Sequence, residues 1–251
     1  MRVRIKFRKY GVMRFIGHLD IMRYFQKAMR RANIDISYSE GFSPHQIMSF
    51  AAPLGVGVTS DGEYLDIDVQ STASTKESVA ALNAVMVDGI DIVEYVALKD
   101  NAKKAMTAVA AADYVVYFKK TEDFTQEEIE AGIRAYYTDR ASIEVTKQTK
   151  KSERVIDLKP LIYRLEAVDD AFRAAHPIEE PITVLPEYRG FFLRLCTGST
   201  DNIKPELVLN DFYRFLGKEY DPFNMQIHRM EVYEETKKGL KPLYEAGAPI
   251  A

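Results

Sequence analysis

The sequence predicts an α+β fold: two tandem ferredoxin-like (split βαβ) sandwiches with antiparallel sheets. Three observations predict it. Short stretches alternate apolar and polar residues with period two, segments of three-and-four periodicity opened by capping boxes stand between them, and the order strand, helix, strand, strand, helix, strand occurs twice in 251 residues.

The alternation begins at once. Over residues 2–9, Val3, Ile5 and Phe7 alternate with Arg2, Arg4, Lys6 and Arg8, which is the pattern of a strand. Residues 18–32 read as a helix, because Leu19, Met22, Phe25, Met29 and Ala32 recur at three and four. Arg23, Lys27, Arg30 and Arg31 fall largely on the other side, and Asp20 sits in the first turn, where a carboxylate suits the positive helix end. Asn33-Ile34-Asp35 ends this helix. Residues 36–38 and 47–52 are short strand pieces around a Gly-Phe-Ser-Pro-His loop. Residues 64–69 alternate again, Leu65, Ile67 and Val69 against Tyr64, Asp66 and Asp68. Ser74 with Glu77 is a capping box ahead of Val79, Leu82 and Met86, so a second helix starts there. Residues 90–98 close the first sandwich, which spans 1–99.

Residues 100–112 read as a linker. After it the order repeats: a strand at 114–118, then Thr125 with Glu128 as a capping box leading a helix to about residue 137. Residues 143–146, 155–165 and 190–196 are strands. Pro205 opens a helix through Leu216, and residues 225–233 form the last strand. The second sandwich is placed at 113–235, with a Pro-rich insertion near 166–189 carrying Pro177, Pro181 and Pro186. Residues 236–251 read as a flexible tail.

Composition sets the outer bounds. Apolar residues make up 47% and charged residues 28%, which excludes wholesale disorder. The lone Cys196 excludes an internal disulfide framework and a Cys-ligated iron–sulfur cluster built from this chain alone, so a reducing, cytoplasmic setting is expected. No apolar run approaches the roughly 18 residues of a membrane span, and the charged N-terminus is no signal peptide. There is no P-loop, no dinucleotide fingerprint and no HxH, HxxxH or CxxC spacing, so neither a cofactor nor a metal is expected.

Charge points to where function lies. Residues 1–50 hold ten Lys or Arg against three Asp or Glu, a net +7, while the rest hold 24 against 34, a net −10. Arg4, Lys6 and Arg8 on an open sheet face would track a phosphate backbone, and Arg23, Lys27, Arg30 and Arg31 on the first helix would extend that surface. Asp66 and Asp68 on the third strand would instead neutralise part of the row through cross-strand pairs. His18 at a helix start, with Asp20 two residues on, is a candidate general acid or base, and so is His45. Ser39, Gly41, Phe42, Ser43, Pro44 and His45 form a polar loop in which Gly41 permits positive φ and Pro44 stiffens the approach. With His18 they make the expected binding pocket. As plain structure, His18 and Asp20 are helix-start residues and the loop is a turn.

Several of these motifs resemble one family. Phe15-Ile16-Gly17-His18-Leu19-Asp20, Arg30-Arg31-Ala32, Tyr38-Ser39-Glu40-Gly41-Phe42-Ser43-Pro44-His45, Pro53-Leu54-Gly55-Val56-Gly57 and Gly62-Glu63-Tyr64-Leu65-Asp66-Ile67 resemble the signature of bacterial proteins linked to, or fused behind, radical S-adenosylmethionine enzymes. The resemblance is specific over residues 1–70 and looser to about residue 233, through Asp157-Leu158 and Lys204-Pro205-Glu206. It implies a cytoplasmic bacterial protein working beside a radical S-adenosylmethionine enzyme, often encoded near ribosome and RNA-processing functions, and it implies no established reaction. The enzyme would carry the three-cysteine cluster motif that this chain lacks, so the radical chemistry would belong to the partner. The architecture is also similar to that of the CRISPR repeat-processing endoribonucleases, although their C-terminal glycine-rich loop is not visible here. The expectation is an accessory protein that binds RNA or its partner enzyme and is not catalytic alone. The alternatives are a metal-independent endoribonuclease using His18 and a purely protein-docking module.

Overall fold

The computed structural model describes residues 1–119, 123–148, 153–178, 188–198 and 201–251. The chain forms two compact units, Met1–Ala110 with Glu231–Ala251, and Ala111–Met230. The fold is α+β, and the registered strand pairings among the described residues are antiparallel.

The first unit runs β1 (Arg2–Lys9), α1 (His18–Arg31), β2 (Met48–Phe50), β3 (Thr59–Asp68), α2 (Thr75–Asn83), β4 (Ile90–Leu98) and a short α3 (Ala105–Ala108). β1 lies between β3 and β4, and β2 pairs with the far side of β3, giving the order β4-β1-β3-β2. Period-two alternation sends Val3, Ile5 and Phe7 to one face, where they pack with Ile21, Phe25 and Met29 of α1 and Leu82 of α2. The buried stripe of α1 is Ile21, Phe25, Ala28 and Met29. Leu19, expected in that stripe, is 61% exposed, because two residues at about 100° each turn it away from Ile21. The helix stops where Asn33 takes φ +55 and the Ile34 and Asn33 amides donate back to the Met29 and Arg30 carbonyls at 3.0 and 3.3 Å. That is a Schellman closure with asparagine in the left-handed position. The Ser74–Glu77 capping box forms as expected and opens α2.

The second unit holds most of β5 (Val109–Phe118), then α4 (Gln126–Ile133), β6 (Glu144–Gln148), β7 (Glu153–Asp157), β8 (Ile162–Val168), α5 (Asp170–Ala175), β9 (Gly190–Cys196), α6 (Pro205–Phe215) and the first half of β10 (Met225–Thr236), whose residues from Glu231 on belong to the first unit. β9 pairs with β5 on one side and β8 on the other, and β6 with β7 form a separate two-stranded ribbon. One aromatic cluster joins this sheet to its helices: Phe212 of α6 meets Phe191 of β9, Phe124 and Tyr136 at centroid distances of 5.3, 6.0 and 5.4 Å.

Three boundaries differ from the sequence expectation. The linker at 100–112 is shorter: α3 occupies part of it, and Ala111 and Ala112 are already paired in β5 opposite Cys196 and Leu195. The single strand expected at 155–165 is two, β7 and β8, separated by a 3-10 turn at Lys159–Leu161 in which Pro160 cannot continue a ladder. The insertion therefore begins after Val168, and Asp169 opens it by capping α5, its carboxylate accepting from the Phe172 amide at 2.6 Å. Residues 179–187 of that insertion lie outside the described residues.

The tail is built into the first unit. β11 (Gly239–Pro242) pairs with the end of β10, and β12 (Gly247–Pro249) pairs with β4. Between them Leu243 is completely buried. The residues expected to be loose thus cover the sheet face opposite α1 and α2. That face was expected to be open.

Candidate functional site

Covering that face decides the fate of the basic strand. Arg4 is completely buried. Its Nε and Nη2 donate to the two Asp66 carboxylate oxygens at 2.7 and 3.0 Å, its Nη1 to the Leu243 carbonyl at 2.9 Å, and Nη2 also to the Lys103 carbonyl at 3.0 Å. The Ala105 amide completes the Asp66 shell at 2.7 Å. Every direction in which Arg4 could reach a ligand is thus filled by this chain. Lys6 is held by Glu231 at 2.7 Å and lies over the Tyr244 ring. Glu231 also accepts from the Tyr64 hydroxyl at 2.5 Å; burial first, and then the Glu231 charge, push the Tyr64 phenol far above its usual range. Arg8 faces Asp61 at 3.6 Å. The cationic strand is therefore a structural ion-pair row, because the third strand and the C-terminal segment supply matched carboxylates and carbonyls. Arg4, Lys6 and Arg8 are withdrawn as nucleic-acid contacts.

The helix cations behave differently. Arg23, Lys27, Arg30 and Arg31 are all exposed. At about 100° per residue, Arg23, Lys27 and Arg30 fall within an arc of roughly 60°, opposite the buried stripe, with Arg31 at its edge. Asp20 lies on the same side and pairs with Arg23 at 3.2 Å, so it serves the helix surface and makes no dyad with His18.

Residues 39–45 form a closed hairpin tip beside this helix. The Ser39 amide donates to the His45 carbonyl at 2.8 Å, the His45 amide to Ser39 Oγ at 3.1 Å, and Ser39 Oγ stands 2.8 Å from His45 Nδ1. Gly41 has φ +108, which only glycine adopts without strain. The result is a tip on which Phe42 is fully exposed, flanked by exposed Ser43 and Pro44. At the base, the Gln46 amide nitrogen donates to the Gln26 carbonyl of α1 at 3.2 Å and to the Tyr38 hydroxyl at 3.4 Å. This hook fixes the tip to the cationic helix.

His18 belongs to a separate place. It is the first residue of α1, half-buried, with its ring edge-on to Phe50 at 5.1 Å. It lines a cavity of about 10 Å³ with Phe7, Lys9, Ile21, Phe50, Pro53, Leu54 and Glu63, room for a single water. None of the residues 39–45 lines it, so this cavity does not bring His18 together with the hairpin. Sequence reading missed Lys9 and Glu63, which are 2% and 4% exposed. Lys9 donates to the Ile16 carbonyl at 2.7 Å. The available signal was a charged residue continuing the apolar side of each alternating stretch, Lys9 after Val3, Ile5 and Phe7, and Glu63 before Leu65 and Ile67.

Residues 2–205, which include every residue just described in α1, the hairpin and the cavity, match the model of a family described as "Uncharacterized protein conserved in bacteria (DUF2344)". Comparison with curated proteins finds no match. Among solved structures, the chain is similar to one from the crystal structure of a Cbf5–Nop10–Gar1 complex, with a TM-score of 0.50 at 11% identity. That likeness covers 97% of this chain and 61% of the other. The chain thus spans about three fifths of its structural relative and shares its fold. Among the described residues no helix is long and apolar enough to cross a membrane.

Proposed function

We propose that this chain, which belongs to the bacterial family DUF2344, is an accessory protein that holds single-stranded RNA on the outer face of α1 for a separate radical S-adenosylmethionine enzyme. One observation carries the RNA reading: a stripe of exposed cations, Arg23, Lys27 and Arg30, is locked beside a fully exposed Phe42 by the hook from Gln46 to α1. Cations spaced along a helix follow phosphates, and a solvent-facing ring offers a stacking platform for a base. The partner enzyme is supported by the resemblance of the Gly17-His18-Leu19-Asp20 and 39–45 motifs. The setting that fits both is cytoplasmic.

The fold reading belongs to the same proposal. The order β4-β1-β3-β2 with both helices against one face is what a split βαβ sandwich requires, which supports a ferredoxin-like first unit. The order β5-β9-β8, with α4 and α6 in the matching chain positions, supports a second.

Fluorescence anisotropy with a labelled single-stranded RNA tests the binding. With about three phosphate contacts, affinity should fall roughly twenty-fold between 50 and 200 mM salt, since the slope is about −0.7 per contact. Arg23→Glu, Lys27→Glu and Arg30→Glu together should abolish binding, and Phe42→Ala should weaken it about tenfold, the worth of one stacked base. Salt-independent binding, or binding indifferent to the charge reversal, would overturn the reading. Cleavage is not expected; metal-free RNA cleavage that His18→Ala removes would establish the nuclease alternative instead.

A further inference from the structure

The second unit carries a cleft of about 650 Å³ beside β8, a size that suits a small ligand or a few residues of peptide. Leu165, Glu166 and Ala167 all line it. Successive side chains of a strand point to opposite faces, so the cleft meets both faces of β8 at once, which only the strand's edge allows. β8 is the last strand of its sheet among the described residues, paired with β9 on one side alone. Phe172 of α5 also lines the cleft and marks one face. Its ring stands 5.1 Å from that of Phe192, over which Arg164 lies at 4.9 Å.

Little in β8 guards this edge. Exposed edges are commonly blunted by lysine, proline or a bulge. The bulge of β8 comes at its start, between Ile162 and Arg164, where the Tyr137 hydroxyl also donates to the Ile162 carbonyl at 2.7 Å. Past that point the register with β9 is regular through Val168, and residues 165–168 hold neither lysine nor proline. The segment after α4 is a π turn, Arg134–Thr138, closed by the Asp139 amide donating to the Arg134 carbonyl at 2.9 Å. Such turns are rare and recur at functional sites. Here the turn carries Arg134 and Asp139, both of which line the cleft.

Charge selects the occupant. Four carboxylates line the cleft, Glu130, Asp139, Glu166 and Asp169, against one cation, Arg134. Glu166 is taken by a bidentate pair with Arg164 at 2.9 and 2.7 Å. Glu130 and Asp169 accept from neutral donors, the Gln126 side chain and the Phe172 amide, and so keep their charge. The neighbouring cations are engaged elsewhere: Lys159 with the Tyr137 carbonyl and ring, Arg140 over the Tyr136 and Phe215 rings, Arg173 with Asp170 and the Tyr188 carbonyl. Glu130, Asp139 and Asp169 are thus set against Arg134 alone, which disfavours RNA. The chain's own residues 179–187 carry Glu179, Glu180 and Glu187 and no cation, the wrong sign for this cleft. We infer that the edge of β8 receives an extended, lysine- or arginine-bearing segment of a partner protein as an added strand. The backbone of that segment pairs with β8, and its cations meet Glu130, Asp139 and Asp169. A free polyamine would match the charge but offers no strand backbone. The inference goes beyond the RNA reading and does not depend on it, since the cations of α1 take no part.

Anisotropy on the full chain tests this, with a labelled peptide of about eight residues alternating valine and lysine, and a valine–glutamate peptide as its control. Micromolar binding of the basic peptide and none of the acidic one is expected. Two further basic peptides carry N-methyl groups on the odd or on the even residues. An added strand turns every second amide toward β8, so one of these should lose binding at least about tenfold while the other keeps it. Glu130→Lys with Asp139→Lys, both exposed, should keep the circular dichroism of the parent and weaken the basic peptide at least about tenfold. The reversal at Arg23, Lys27 and Arg30 should leave peptide binding unchanged while losing RNA. A wild-type chain that binds the peptide but no RNA would sink the RNA reading alone. A basic peptide that fails to bind, N-methyl peptides that behave alike, or binding untouched by Glu130→Lys with Asp139→Lys overturns the added strand. Spermidine bound as tightly as the basic peptide would give the cleft to a polyamine and overturn it as well.

Discussion

Arg4 shows how one side chain can change from a presumed ligand contact into a fastener. It ties β1 to Asp66 of β3, to the carbonyl of Lys103 ahead of α3 and to the carbonyl of Leu243 near the C-terminus. Arg4→Met should cost about 3–5 kcal/mol, because it leaves the Asp66 carboxylate buried with a single backbone donor. Replacing both, Arg4→Met with Asp66→Leu, should recover part of that loss, since no unpaired charge remains. Urea denaturation at constant m value measures both; a single variant as stable as the parent would show the pair to be idle. The cross-strand partner was readable, because register follows from alternation and Asp66 was already placed opposite the row. The two carbonyl partners were not, because nothing local in Lys103 or Leu243 announces a contact about 100 or 240 residues away in sequence. Lys9 and Glu63 escaped notice for a related reason: each carries a surface residue's identity, and only the start of α1 and the loop at 53–54, packed over the helix side of the sheet, make it internal.

At the scale of elements, those with a local cause were legible. The capping boxes at Ser74 and Thr125 open α2 and α4 as read, because each is complete within four residues. Where the cause was tertiary, reading failed. The apolar stripe of α1 was misphased at Leu19, since a spacing rule accepts either of two neighbouring stripes and only the sheet selects Ile21, Phe25 and Met29. The C-terminal segment looked loose because Gly239, Pro242, Gly247 and Pro249 break any periodic pattern. In the fold those same residues let short strands β11 and β12 turn around a buried Leu243. The Thr75 amide donates to the Ile250 carbonyl at 3.0 Å, and the Ile250 amide donates to Thr75 Oγ1 at 2.8 Å, which pins the end against α2. Ending the chain at Lys238 should therefore lower stability by at least about 2 kcal/mol, the burial of one leucine side chain, with the lost Arg4 acceptor in addition. Thermal melting followed by circular dichroism reads this out, and an unshifted midpoint would restore the loose tail.

At the scale of the molecule, the chain leaves its first unit at Ala110 and returns to it at Glu231, partway along β10. The return matters chemistry-wise as well as topologically, because Glu231 is the residue that neutralises Lys6 and accepts from Tyr64. The second unit repeats the device: Tyr136 donates to Asp211 at 3.0 Å and Tyr213 to Asp123 at 2.9 Å. In all three cases burial is the larger cause and a carboxylate partner adds to it, so each phenol is raised well above its usual value near 10. A group whose folded pKa is raised contributes stability that is whole below its unfolded pKa and is lost as pH rises past it, since only the unfolded chain then releases the proton. Both units should accordingly hold their stability up to about pH 10 and lose it above, by on the order of 1 kcal/mol per buried tyrosine for each further pH unit. Tyrosinate absorbance should lag behind exposed tyrosines and then rise together with loss of ellipticity. Tyr64→Phe, which removes the ionisable proton and leaves Glu231 to Lys6, should make the alkaline loss shallower, whereas an unchanged slope would mean that Tyr64 ionises in the folded chain and that the Glu231 junction is open to solvent.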